Sequence, residues 1–350
     1  MSATPDTDFY TTYHVMLIKW MEYGVPDWTS GFVAYVVSMN LICALGIMAY
    51  ILFFYICVKD VEGNFRGSFY RLGISAAPAD LVNLLINMVY LTSVAYLGEM
   101  ALPWWYRHGS GFANNVAFWT VVAHMLIISF NRLLAVLWES ASVYLFSSWR
   151  LLFWCVSGHG IGISMAVIMW SCTCYYHAPS GWGWEFSCGD PDRTCGPDAL
   201  LLNEILGYVT VLGLGLVHII LFTRVYAMGQ IDTYSLTPRQ REQTITMAKR
   251  AKRERNLAFQ FLFISILLSV HIAFFWFAAP YIESGQISKQ LVMVVLNGCL
   301  IVNSAINPFM YIFMSRHGRQ VIIDFFLKCE TWLQTLQPKP DETVISMVDL

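Results

Sequence analysis

Charge is what this sequence has least of. Lys, Arg, Asp and Glu together make up 13% of its 350 residues, while hydrophobic residues make up 57%. A soluble domain carries roughly 25% charged residues, so this chain cannot cover a globular surface with polar groups and a water-soluble fold is excluded. A net charge of −2 gives no electrostatic footing for a nucleic-acid partner. Catalytic signatures are missing as well. The sequence contains no HExxH, no GxSxG and no paired-Asp motif, so an enzyme is not expected, and no cofactor is expected with it. Repeated halves, the mark of many transporters, are not found. No Asn-x-Ser/Thr sequon occurs, so glycosylation does not report sidedness. The first 27 residues are polar and aromatic rather than a basic start followed by an apolar run, so the first spanning segment is expected to direct insertion itself.

What the sequence does have is long apolar runs. A bilayer core about 30 Å thick needs roughly 20 apolar residues in a helix. Seven stretches meet that length: Trp28–Val58, Leu72–Gly98, Gly109–Asn131, Leu151–Trp170, Ala199–Thr223, Asn256–Pro280 and Gln290–Ser315. Only Asp80 and Glu204 interrupt them with a formal charge. The expected fold is an all-α membrane protein, a seven-helix bundle followed by a short amphipathic helix. Its expected organisation is an extracellular N-terminus over 1–27, the spanning domain over 28–315, and a cytoplasmic helix and tail over 316–350.

Seven spans put the two ends on opposite sides of the bilayer. Seventeen of the 21 Lys and Arg residues fall on the side of the C-terminus, and the other four are Lys19, Arg107, Arg193 and Lys289. Basic residues stay in the cytoplasm, so the N-terminus is expected outside. Four cysteines, Cys172, Cys174, Cys188 and Cys195, share the loop between the fourth and fifth spans. That loop faces an oxidising compartment on this orientation, where such clusters become disulfides, and four cysteines allow three connectivities. A zinc site is the rival reading, weakened because neither pair has C-x₂₋₄-C spacing. The long inner loop Arg224–Arg255 concentrates the basic residues, which attract anionic lipid and leave room for a docking role. Over Arg316–Thr335, Val321, Ile322, Phe325 and Phe326 fall on one helical face and Arg319, Gln320, Asp324 and Lys328 on the other. Cys329 at its end is a candidate for lipidation.

Three intramembrane features carry chemistry. The first is Asn303-Ser304-Ala305-Ile306-Asn307-Pro308-Phe309-Met310-Tyr311 near the inner end of the seventh span. Pro308 removes a backbone hydrogen bond and frees a carbonyl, and the two Asn side chains must point into the bundle, so the segment is deformable. It resembles the NSxxNPxxY signature of rhodopsin-like G-protein-coupled receptors at every fixed position. The second is Asn131-Arg132 at the inner end of the third span. The same family has Asp/Glu-Arg-Tyr there; here the acid is Asn131 and the Tyr is Leu133, so the usual ion pair is absent. The third is Asp80, nine residues inside Arg71 as Asn307 is nine inside Arg316. Both lie about 13 Å within the inner boundary. A carboxylate at that depth is functional by default and needs a partner. With Asn303 and Asn307 it resembles the family's sodium-linked pocket, although the Ser expected eleven residues before Arg132 is Val121. Asp80, Asn131, Arg132, Asn303, Asn307, Pro308 and Tyr311 are thus the candidate switch.

A narrower resemblance covers roughly residues 65–320. His124 through Asn131-Arg132 to Ala135-Val136, the later Tyr144-Leu-Phe-Ser147, the loop with Tyr175-Tyr176, Trp182, Trp184 and Phe186, and Glu254 to Gln260 are similar to nematode serpentine chemoreceptors of the Srx class. Phe69-Tyr70-Arg71-Leu72 also suits the Srg and Srv classes. The resemblance implies an olfactory or taste receptor at the plasma membrane of sensory cilia, with a small-molecule ligand, a heterotrimeric G protein and the bilayer as partners. Position 107, where many ordinary rhodopsin-like receptors place a Cys, is Arg, so bridges internal to the loop are expected instead. Asn114 stands where amine receptors carry an acid. The ligand pocket is expected about 27 Å above Arg132 along the third span, lined by Asn114, Asn115, Phe118 and Trp119 and closed by Trp182, Trp184, Trp276 and Tyr281; interfacial belts are the competing role for such aromatics. His218 and His271 are expected to pack helices rather than bind metal. The alternative function is a ligand-gated cation channel or transporter with seven spans, for which Asp80 and Glu204 offer a thin ion path.

Overall fold

The polarity of this molecule is inside out. Asp80, Asn83, Asn87, Asn114, Asn303 and Asn307 are buried, while Val37, Leu41, Met48 and Ile51, spaced by three, four or seven residues along one helical face, are more than half exposed. That is the pattern of helices whose solvent is hydrocarbon: apolar stripes face lipid and polar side chains turn into the bundle. The computed structural model describes residues 30–59, 67–98, 101–172, 174–177, 184–188, 195–229, 261–274, 289–314, 318–324 and 327–328.

The described elements follow the apolar runs closely. They are α1 (Ser30–Lys59), α2 (Ser68–Leu97), α3 (Trp104–Leu137), the short α4 (Glu139–Leu145), α5 (Ser148–Ser171), a hairpin of β1 (Cys174–His177) and β2 (Glu185–Cys188), then α6 (Cys195–Gly229), α7 (Phe261–Phe274) and α8 (Lys289–Met314). Six are long and apolar enough to cross a membrane, and α7 is a shorter apolar helix within the sixth predicted run. The chain is an all-helical seven-span bundle with one small antiparallel ribbon, its register set by Cys174 opposite Cys188. Two differences from the sequence expectation matter. Helix α3 extends about one turn beyond the apolar run at each end, because Trp104–His108 and Arg132–Leu137 continue its hydrogen bonding where polarity alone marks a boundary. The ribbon in the outer loop was not expected at all.

Helix α3 is the central strut, packed against α2, α5 and α6, while α1 packs on α8 and α2. Helix α2 has a five-residue π turn at Asn87–Leu91 and ends at Gly98, whose φ of 77° suits a residue without a Cβ. Cys172, at the end of α5, is buried and disulfide-bonded, whereas Cys43, Cys155 and Cys299 are free thiols. Residues 318–324 form a further helical stretch with Val321 and Ile322 packed on the core and Arg319, Gln320 and Asp324 exposed. Phe325, Phe326 and Cys329 lie outside the described residues.

Candidate functional site

Two sites occupy the two ends of the bundle. The inner one is built on Asp80, which is 1% exposed. Tyr50 on α1 donates its hydroxyl to Asp80 Oδ2 at 2.6 Å, and Asn307 on α8 donates Nδ2 to the same oxygen at 2.8 Å. Three helices are thereby tied to one carboxylate, and Asn307 is the residue immediately before Pro308. Asp80 Oδ1 and the Oδ1 atoms of Asn303 and Asn307 have no hydrogen-bond partner. Asn303 is buried at the same level of α8 without joining the carboxylate.

One turn inward the contacts become aromatic. Tyr311 is buried and stacks on Phe53 at 5.3 Å between ring centroids, with Phe69 and Tyr70 meeting it edge-on at 5.7 and 6.3 Å. A Cβ at Gly73 would fall 2.7 Å from Tyr311 Cζ, so only glycine lets α2 admit this ring. Phe69 also carries the guanidinium of Arg132 over its face, 4.9 Å from the centroid, an attraction of the cation–π kind. Arg132 is 8% exposed. It donates through Nη2 and Nε to Asn131 Oδ1 at 2.6 and 3.2 Å, and Asn131 in turn donates Nδ2 to Ser68 Oγ at 3.2 Å. The carboxylate expected from the family pattern is replaced by an amide that does the same geometric work with a neutral oxygen. Arg132 and Tyr311 share Phe69 in this packing.

The outer site is a narrow cavity with room for about 20 Å³, little more than one water molecule needs. Its polar lining is Asn114, His271 and Asn297, and its apolar lining is Phe118, Trp184, Leu296 and Leu300. Trp184, immediately before β2, is one of its walls. It is 5% exposed, stacks on Tyr90 with centroids 4.9 Å apart, and donates Nε1 to Asn87 Oδ1 at 2.9 Å. Asn87 donates Nδ2 to Asn83 Oδ1 at 2.7 Å. Trp184 is thus bonded to the π turn of α2, and through Asn83 to the turn that carries Asp80.

Of the residues expected to form the pocket, Asn114, Phe118 and Trp184 line this cavity. Asn115 and Trp119 are buried on α3 beside it, with Trp119 edge-on to Phe118. Trp182, Trp276 and Tyr281 lie outside the described residues. His271 packs as expected, its Nδ1 meeting the Leu296 carbonyl at 2.9 Å, and also lines the cavity; His218 bonds within its own helix. No group of three potential metal ligands occurs among the described residues. Sequence reasoning missed Tyr50, Phe69, Asn87 and Asn297. Asn87 and Asn297 carried a signal all the same, because an amide inside an apolar span needs a partner.

Comparison with known proteins adds one finding. A family model described as serpentine type 7TM GPCR chemoreceptor Srx matches residues 41–313, which takes in both sites. No curated protein matches the chain.

Proposed function

We propose that this chain, which belongs to the Srx family of serpentine seven-transmembrane chemoreceptors, binds a small extracellular molecule in the cavity beneath Trp184 and activates a heterotrimeric G protein at its cytoplasmic face. The observation that carries this reading is the tie of Asn307, at the Pro-broken turn of α8, to the buried Asp80. A helix that can bend at Pro308 is latched there to α2, and Trp184, a wall of the outer cavity, is bonded to that same α2. Ligand binding that prefers one arrangement of α2 then biases α8, which is how a receptor shifts population between two packings. Arg132, Phe69 and Tyr311 form the inner end of the coupling unit. Their burial supports taking this packing as the resting one, and activation swings Tyr311 out of its slot toward Arg132.

The orientation with the N-terminus outside and the tail in the cytoplasm rests on seventeen basic residues against four. A C-terminal epitope tag is expected to stain only after permeabilisation; staining on intact cells overturns the orientation. The function itself is tested by energy transfer between labelled Gα and Gβγ in cells expressing the full chain, during exposure to volatile and water-soluble odorants. Ligand-dependent dissociation is expected. A ligand-evoked current that survives G-protein blockade identifies a channel instead.

A further inference from the structure

The outer cavity is both small and polar, and that combination selects its occupant. It has room for about 20 Å³, and a cavity needs roughly 10–15 Å³ to admit one water. Asn114 on α3 and Asn297 on α8 both line it and are 1% and 2% exposed. Oδ1 of each has no hydrogen-bond partner. Asn297 uses its Nδ2 to reach Tyr35 Oη at 2.8 Å. Asn114 presents its Nδ2 to the cavity as a donor without a partner. His271 on α7 adds an acceptor. Its Nδ1 faces the Leu296 carbonyl at 2.9 Å, and a carbonyl only accepts, so the proton sits on Nδ1 and the lone pair on Nε2.

Acceptors from three helices and a donor from one of them therefore surround a space the size of one water. A water gives two protons and accepts two, so a single molecule can answer groups of both kinds. Cavities that stay dry are apolar ones, whereas polar cavities hold waters that make two to four hydrogen bonds. A buried amide oxygen without a donor is destabilising, and one water relieves two such oxygens at once. An ion is a poorer occupant. No Asp, Glu, Lys or Arg is among the described residues lining the cavity, so a charge entering here loses its hydration and meets no opposite charge. We propose that the outer cavity is the binding site of one structural water, which donates a hydrogen bond to Asn297, exchanges one with the amide of Asn114, and so joins α3 to α8 beside His271. The bridge stands whether or not the chain signals. On the receptor reading, a ligand larger than water meets these amides only in a wider packing, where it takes the water's place.

The test is oxidative footprinting of the full chain in lipid nanodiscs, with hydroxyl radicals generated by an X-ray pulse. Radicals formed from a bound water label the side chains around it. Trp184 and Met165 are almost equally buried, at 5% and 6% exposed. Trp184 lines the cavity, whereas Met165 lies in the apolar core. Trp184 is expected to be oxidised at least about tenfold faster than Met165, with His271 labelled alongside it, because a water sits against both. Asn114→Leu sets hydrocarbon of similar volume against the cavity and is expected to bring Trp184 down to the rate of Met165. The sign of the melting shift in the same variant is a second readout. In a wet cavity the variant strands Asn297 Oδ1 and melts about 2 °C or more below wild type. In a dry one it removes an amide oxygen that had nothing to lose, and it melts no lower. The proposal is overturned if Trp184 and His271 label no faster than Met165 in the wild type, if Trp184 stays fast in Asn114→Leu, or if Asn114→Leu melts at or above wild type. Neither readout involves a G protein. A receptor that releases none leaves the water in place, and a dry cavity leaves the signalling role to its own assay.

Discussion

Arg132→Ala is expected to reach the cell surface in near-normal amount and to lose G-protein activation by about a hundredfold or more, the upper range of coupling between two sites. Normal expression is expected from the described partners of this arginine. Removing one member of a buried ion pair strands the other charge, which is why such changes commonly unfold proteins. Asn131 Oδ1 and the Phe69 ring are both neutral, so the loss of the guanidinium leaves no bare charge at either. Ligand affinity should change only a few-fold, because the cavity is about 27 Å away along α3 and is linked to the inner face only through the helix packing. Asn131→Asp is the complementary arm. A carboxylate in that place adds the attraction of opposite charges to a bond that the guanidinium already assists, and basal dissociation of the G protein should fall. Surface-stained cells assayed by energy transfer between Gα and Gβγ settle both. Normal signalling from well-expressed Arg132→Ala would remove the mechanical basis of the receptor assignment.

Trp184→Ala should have the second-largest effect, and at the opposite end of the molecule. Truncating a buried Trp typically costs about 3–5 kcal/mol, and here the loss includes the stack on Tyr90 and the hydrogen bond to Asn87. Thermal unfolding in nanodiscs should show this as a clear drop. The odorant response should disappear along with this wall of the cavity. Trp184→Phe separates the two roles. It keeps a ring over Tyr90 while leaving Asn87 Oδ1 unpaired, at about 1–3 kcal/mol, so stability falls less and the ligand's half-maximal concentration rises. If the melting temperature drops in both variants while the dose–response curve of the surface-expressed receptor stays put, Trp184 is a strut and not a wall of the ligand site.

Much of this molecule could be read before any coordinates. The spans follow from run length, since hydrocarbon tolerates no unpaired backbone, and the ends of α1, α5 and α8 fall within a few residues of the apolar limits. Asp80, Asn307, Pro308 and Tyr311 stood out because polarity and proline are costly in lipid. Residues that look ordinary in an apolar span were harder. Phe69 and Tyr50 resemble any other core aromatic, and only the tertiary packing sets one between Arg132 and Tyr311 and the other against Asp80. Trp184 was on the page as an aromatic near the membrane surface, where a belt residue and a pocket wall share one composition. The hairpin that carries it inward was invisible, because its strands are four residues each and their alternation is too short to register.

The π turn in α2 has a consequence for descent as well as for shape. An ordinary helix advances 100° per residue, so one residue gained within Asn87–Leu91 turns everything beyond it, including Tyr96 and the approach to Gly98, by more than a quarter of a circle. The half of the helix holding Asp80 and Gly73 keeps its azimuth. A lineage that inserts or deletes one codon at this point can therefore re-aim the outward end of the helix in a single genetic event while the inward half stays in phase. The bulge makes diversification at one end of the protein compatible with inheritance at the other.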